Sequence, residues 1–289
     1  MKDKVAPKRD ITRIRPLRLE GAGDKTLPVR GQELISELYA NMFLVAKKNS
    51  GKTTVISHLL KHTIDKRTTV CIFSSTVHID KAWIAIQKML KRKGISVFVF
   101  TSLVEDGVNL LEQFLDGVSN ENTNPRSSEV LEEKKECINK EPDTKRLCHF
   151  PEEDTKTVEP EKKERLISYS TRVPKYWMIL DDLDVASLRS PVIANMLKKN
   201  RHYQMRTSIV SQHVIHIKPD SYSQLDYLYL WAGFAEDYVR KVWEHISSHM
   251  DFNEFYTLYR EATAEKYSFL NIDIRNQSYR VKFGKHLKI

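Results

Sequence analysis

Short apolar runs alternate with amphipathic stretches along most of the chain. Residues 42–45, 69–73, 95–100, 176–180, 207–210 and 227–231 each read as a brief strand with little polar alternation. Strands of a parallel sheet covered on both faces have this pattern. Between them lie helical periodicities. Val55, Ile56, Leu59 and Leu60 fall on one helix face, and residues 32–38, 82–92, 108–115, 192–199, 237–247 and 253–265 also read as helices. Residues 267–274 and 278–283 are β-like, with Asn276-Gln277 at a turn. Strand–helix alternation of this kind predicts an α/β fold with three αβα layers around a mainly parallel central sheet.

The pattern fails in two places. Residues 119–168 hold 23 charged side chains and four prolines among 50, with only ten apolar residues. Such a stretch cannot bury enough surface to offset its ordering entropy. It reads as a charged, disordered insertion, with helical potential at 129–138. Residues 1–30 carry seven basic side chains before Leu19, interrupted by Pro7 and Pro16, and read as a flexible basic arm. The remainder, 31–289, then forms one domain interrupted by the insertion.

Charge sharpens the picture. The whole chain is +9, but the insertion has ten basic and thirteen acidic residues, which leaves +12 on the other 239. A basic folded part suits a polyanionic partner. Cys71, Cys137 and Cys148 are odd in number and unclustered, which excludes a disulfide scaffold and points to a reducing compartment. Apolar runs fall far short of the ~20 residues of a bilayer span, and the N-terminus lacks a leader's apolar region. The expectation is a soluble, intracellular protein.

The strongest chemical signal is Asn49-Ser50-Gly51-Lys52-Thr53-Thr54, set between an apolar strand and an amphipathic helix. A P-loop needs this context, because its backbone N–H groups cradle phosphates at a helix N-terminus. Lys52 is then placed for the β- and γ-phosphates and Thr53 for Mg²⁺. The loop consists of Ala46, Lys47, Lys48, Asn49, Ser50, Gly51, Lys52, Thr53 and Thr54, and Ala46 replaces the glycine of the usual pattern. Asp181-Asp182 ends the strand at 176–180. Asp181 suits Mg²⁺, and Asp182 suits a general base for the attacking water. Asp184 reads as the solvent-facing start of the next helix. Gln212 ends the strand at 207–210, where it can sense the γ-phosphate or orient water.

Lys198-Lys199-Asn200-Arg201-His202, followed by Arg206, is a basic cluster. It suits an arginine completing a neighbouring subunit's site, DNA phosphates, or a solvated helix end. Arg201 is the favoured finger and Arg206 the alternative. His58 and His62 lie four residues apart with no evident third ligand. Cys71, Tyr227, Tyr229 and Trp231 read as core, and His213 and His216 as loop residues.

Taken together these segments resemble the FtsK–HerA branch of P-loop ATPases, and within it the genome-packaging ATPases of poxvirus-like viruses, virophages and Polinton (Maverick) elements. The likeness runs through Phe43-Leu44-Val45-Ala46 and the P-loop, Phe73-Ser74-Ser75-Thr76, Asp80-Lys81-Ala82-Trp83, Ile179-Leu180-Asp181-Asp182, Asn200-Arg201-His202, Ser208-Ile209-Val210-Ser211-Gln212 and Tyr267-Ser268-Phe269-Leu270. It covers residues 40–115 and 172–285. The resemblance implies a RecA/ASCE-like fold in which the strand of Gln212 lies between the P-loop strand and the strand of Asp181. It implies ATP and Mg²⁺ as cofactors, Asp181 and Asp182 as the Walker B pair, and Gln212 as sensor. It further implies a homo-oligomeric ring translocating double-stranded DNA, with a capsid or portal component as a further partner and no membrane. The location implied is the host-cell nucleus, a cytoplasmic virus factory or the virion. A small-molecule kinase shares the P-loop and carboxylate, although no lid motif is evident. A DNA-binding protein with a decayed P-loop is the other alternative.

Overall fold

The computed structural model describes residues 27–123, 171–284 and 286–287. The helical potential at 129–138, Cys137, Cys148 and most of the arm and insertion lie outside them. Among the described residues one eight-stranded sheet organises the fold. Its strands are β1 (Asn41–Val45), β2 (Thr69–Ser74), β3 (Ser96–Phe100), β6 (Tyr176–Asp181), β7 (Met205–Ser211), β8 (Tyr227–Trp231), β9 (Phe269–Asp273) and β10 (Ser278–Val281). A separate hairpin pairs β4 (Val104–Glu105) with β5 (Val108–Asn109). The spatial order is β10-β9-β8-β1-β7-β6-β2-β3. All pairings from β8 to β3 are parallel, and β9 is antiparallel to both its neighbours. β7 stands between β1 and β6, as expected.

The helices are α1 (Lys52–Thr63), α2 (Lys81–Arg92), α3 (Leu110–Thr123), α4 (Val185–Leu188), α5 (Pro191–Lys198), α6 (Pro219–Tyr222), α7 (Glu236–His245) and α8 (Phe252–Ala262). Strand periodicity divides the core in two. Met42 and Leu44 pack with Ile56, Leu59 and Leu60 of α1 and Trp83 and Leu90 of α2. Phe43 and Val45 face the opposite layer, with Leu111 of α3, Ile193 of α5, Val239 of α7 and Phe255 of α8. Every residue of β1 is buried, which explains its unbroken apolar run.

Three expectations change. Residues 32–38 form a turn and extended chain instead of a helix, with Leu34 N and Ile35 N both donating to Gly31 O. Gly31 has φ 68°, and a Cβ there would stand 2.7 Å from Thr63 Cγ2. This close left-handed approach fixes the start of the turn against α1, and the turn stops at Leu34. The helix expected at 108–115 starts at Leu110 and runs to Thr123, because Val108 pairs with Glu105 in the hairpin. The helix therefore enters the stretch assigned to the insertion. At the arm's end, Val29 bridges Arg172, Arg30 N donates to Arg172 O (2.9 Å), and Arg30 Nη1 stands 3.5 Å from Asp65.

Candidate active site

Three parallel strands, β1, β7 and β6, deliver their C-terminal ends to one edge of the sheet. Val45 pairs with Ser211, Ala46 N donates to Ser211 O (3.1 Å), and Asp181 pairs with Val210. The loop after β1, the Asp181-Asp182 pair and Gln212 therefore share that edge. In open α/β sheets this is where ligands bind.

The loop is built on left-handed backbone. Asn49 has φ 60° and Gly51 φ 88°, and Gly51 caps α1. Asparagine and glycine tolerate this region best, so the two residue types fit what the turn demands. Ser50 Oγ donates to Lys47 O (2.8 Å) and closes the loop from inside. Lys52 curls back over it, with Nζ donating to Ala46 O (2.6 Å) and Lys47 O (3.1 Å). Burial lowers the Lys52 pKa, and the charges of Asp181 and Asp182 act against that shift. The ammonium is thus held in the loop by carbonyls that an anion can replace. Ala46 is fully buried, so the site's departure from glycine fills space in the core.

Asp181 is 8% exposed. Burial pushes its carboxyl up to about 6 from 3.8, and the nearby Asp182 and Asp80 add to the rise. The Trp83 indole N–H, which donates to Oδ2 at 2.8 Å, and Lys52 oppose it. Asp182 differs from its neighbour in being exposed, with φ 54°. This left-handed turn redirects the chain after β6, and the Asp182 Oδ1 accepts from Gln212 Nε2 at 2.8 Å. Asp184, as expected, caps α4 by accepting from Ser187 N (2.8 Å).

The edge suits a nucleoside triphosphate with Mg²⁺. Left-handed residues and a helix N-terminus provide main-chain donors, Lys52 a cation, and Thr53 and Asp181 hard oxygen donors of the kind Mg²⁺ prefers. Thr53 is half-buried at the first turn of α1, whereas Thr54 is exposed beside it. Lys47, Lys48 and Asn49 are exposed along the loop.

The two arginines of the basic cluster part company. Arg206 is fully buried in β7. Its Nη1 donates to Thr63 Oγ1 (3.0 Å), its Nη2 to Glu37 O (2.8 Å), and its guanidinium lies 5.0 Å from the Trp177 ring centre. Burial lowers its pKa to about 10. Arg206 is a core residue and cannot reach another subunit, which removes the alternative finger. Arg201 is exposed before β7, at the end of that strand remote from Gln212. It does not join the other candidates within one subunit.

Sequence reasoning missed several residues at this edge. Trp83 enters the family likeness only as part of Asp80-Lys81-Ala82-Trp83, with no role of its own, yet its N–H is a direct partner of Asp181. His216 Nδ1 lies 2.8 Å from Ser211 Oγ, and Arg189 Nη2 donates to Ile215 O at 2.6 Å. Nothing in the spacing of these residues marks them. Cys71, Tyr227 and Tyr229 are buried, as read.

The chain matches no protein-family model and no curated protein. Solved structures are similar to it. B204, the DNA-packaging ATPase from Sulfolobus turreted icosahedral virus, aligns over 86% of this chain and 98% of its own at 14% identity, with a TM-score of 0.50. The genome-packaging NTPase B204 from Sulfolobus turreted icosahedral virus 2, in complex with AMPPCP, aligns over 88% and 100% at 15% identity, TM-score 0.49. The cytoplasmic domain of the type VII secretion ATPase EccC of Thermomonospora curvata aligns over 70% and 22% at 14% identity, TM-score 0.38. With the first of these the chain shares its fold, that of a P-loop NTPase.

Proposed function

We propose that this chain is an Mg²⁺-dependent ATPase that translocates double-stranded DNA, and that it packages a viral genome into a capsid. The observation that carries the reading is the convergence of Lys52, Asp181 and the Asp182–Gln212 pair on one sheet edge. Lys52 and the loop amides bind and neutralise phosphate oxygens. Thr53 and Asp181 hold Mg²⁺, which supplies Lewis-acid neutralisation of phosphate charge when bound. Asp182, exposed and oriented by Gln212, takes the proton of the attacking water. B204, whose fold this chain shares, is a DNA-packaging ATPase, which supports DNA as the track, and the net +12 outside residues 119–168 suits it.

Arg201 serves as the finger for a neighbouring subunit, since its own site lies at the far end of β7. That role requires a homo-oligomeric ring, which a duplex can thread. Residues 31–289 act as one ATPase domain decorated by 119–168, with residues 1–30 as a basic arm and a capsid or portal component as docking partner. The place of action is the nucleus or virus factory where virions assemble, or the virion itself. Among the described residues no helix is long and apolar enough to cross a membrane.

The test is displacement of a triplex-forming oligonucleotide from linear duplex DNA. ATP-dependent displacement by the assembled protein, lost in Asp182→Asn, is the expected result. Phosphate transfer to nucleosides without displacement would replace the motor reading with a kinase.

A further inference from the structure

Two segments leave the sheet beside the carboxylate pair, one after β6 and one after β7. The first turns at Asp182, enters α4 under the Asp184 cap and ends on Arg189, which follows that helix. The second carries Gln212 and then a single 3₁₀ turn at Val214–His216. A turn of three residues has little stability of its own. A backbone bond within it, His216 N to His213 O, is long at 3.4 Å. Its position is therefore set by what its ends and carbonyls meet outside it.

Side chains supply those ties. Ser211 Oγ lies 2.8 Å from His216 Nδ1 and accepts from His213 N at 3.2 Å. The Tyr222 hydroxyl, in α6, donates to Val214 O, and the Val214 side chain is buried. Arg189 Nη2 donates to Ile215 O at 2.6 Å. Ile215 is 39% exposed, so its carbonyl fastens it and its side chain does not. The arginine tie differs from the other two in its origin. Ser211 and Tyr222 belong to the same stretch of chain as the turn, whereas Arg189 comes from the segment that follows Asp182. It is a second rung between the two segments, beside the bond from Gln212 Nε2 to Asp182 Oδ1 (2.8 Å). The electrostatics reflect the same closeness. Burial lowers the His216 pKa, the His213 and Arg189 charges lower it further, and Asp182 opposes them.

The second rung matters for Gln212. Its side chain gives up rotamer freedom to stay on an exposed carboxylate. The backbone that aims it is fixed on one side by β7 and on the other by the turn. Arg189 is exposed, so replacing it removes no buried side chain. We propose that Arg189 is a positioning residue for ATP hydrolysis: by holding Ile215 O it fixes the turn after Gln212 and keeps the amide on Asp182. The inference rests on the reading above of Asp182 as base and Gln212 as its partner. It gives Arg189 no contact with the nucleotide.

The experiment is a double-mutant cycle on steady-state ATP hydrolysis by the full chain with long double-stranded DNA. The proteins are wild type, Arg189→Ala, Gln212→Ala and the double variant. Arg189→Ala should lower kcat about three- to tenfold, the factor one hydrogen bond is worth, with KM unchanged. In the Gln212→Ala background the same substitution should change kcat by less than about twofold, because the group it positions is gone. Arg189→Lys keeps a donor for Ile215 O and should recover most of the rate. An unchanged kcat in Arg189→Ala, a loss of equal size in both backgrounds, or a raised KM would overturn the inference. So would Arg189→Lys that performs no better than Arg189→Ala. An unchanged kcat in Gln212→Ala alone would instead overturn the reading of Gln212, and the positioning role with it.

Discussion

Replacing Asp181 by asparagine should make the protein more stable at neutral pH while abolishing its chemistry. The carboxyl titrates near 6 in the fold against 3.8 ordinarily, chiefly because burial disfavours its charge. The folded state therefore holds the proton more tightly than the unfolded chain. The penalty is absent below about pH 3.8, grows between 3.8 and 6, and is complete above 6. Two pKa units correspond to about 3 kcal/mol at pH 7, falling to about 1 kcal/mol at pH 4.5. Asparagine keeps an acceptor for the Trp83 N–H, bonded at 2.8 Å, and carries no charge to bury. Loss of the attraction to Lys52 reduces the gain, so about 3 kcal/mol is an upper limit. Urea unfolding of both proteins at pH 7 and pH 4.5, without nucleotide, measures the difference. A variant that is equally stable or weaker at pH 7, or a difference that does not shrink on acidification, would refute the reasoning. Mg²⁺ with a non-hydrolysable ATP analogue should narrow the difference, because Asp181 makes the metal-bound nucleotide tighter in the wild type than in the variant.

Other consequences follow from the same edge. Asp182→Asn should lower kcat roughly 10²–10⁴-fold with nucleotide affinity kept, read by steady-state hydrolysis and equilibrium binding. Gln212→Ala, which frees Asp182, should lower kcat about tenfold and leave KM unchanged. Arg206→Ala should cost about 3 kcal/mol or more in urea unfolding, because it removes a buried side chain and leaves Thr63 Oγ1 and Glu37 O without its hydrogen bonds. Arg201→Ala should change stability by no more than about 0.5 kcal/mol, and should lose hydrolysis that wild-type subunits restore on mixing.

What was legible in the sequence was what periodicity and spacing encode. Apolar runs covered on both faces gave the strands of the parallel sheet, and Asn49 to Gly51 fall, as read, in the turn between β1 and α1. The order β1-β7-β6 came with the resemblance and matches the sheet. Long-range contacts were not legible. Residues 32–38 have helical spacing, but Gly31 is held against Thr63, a contact 32 residues distant. Arg206 looks like part of a basic cluster because charge is visible in sequence and burial is not. Trp83 reaches Asp181 across 98 residues, and only the packing of α2 on the sheet brings them together. Tyr267 stands in a segment that carries the family likeness, but its left-handed backbone, φ 63°, is not visible in sequence.

ATP hydrolysis by the purified chain, with and without long double-stranded DNA and beside Lys52→Ala, is the most direct measurement. Turnover should rise with DNA length and disappear in the variant, since Lys52 supplies the charge that phosphate oxygens require. Turnover indifferent to DNA, or equal in the two proteins, would contradict the proposed function.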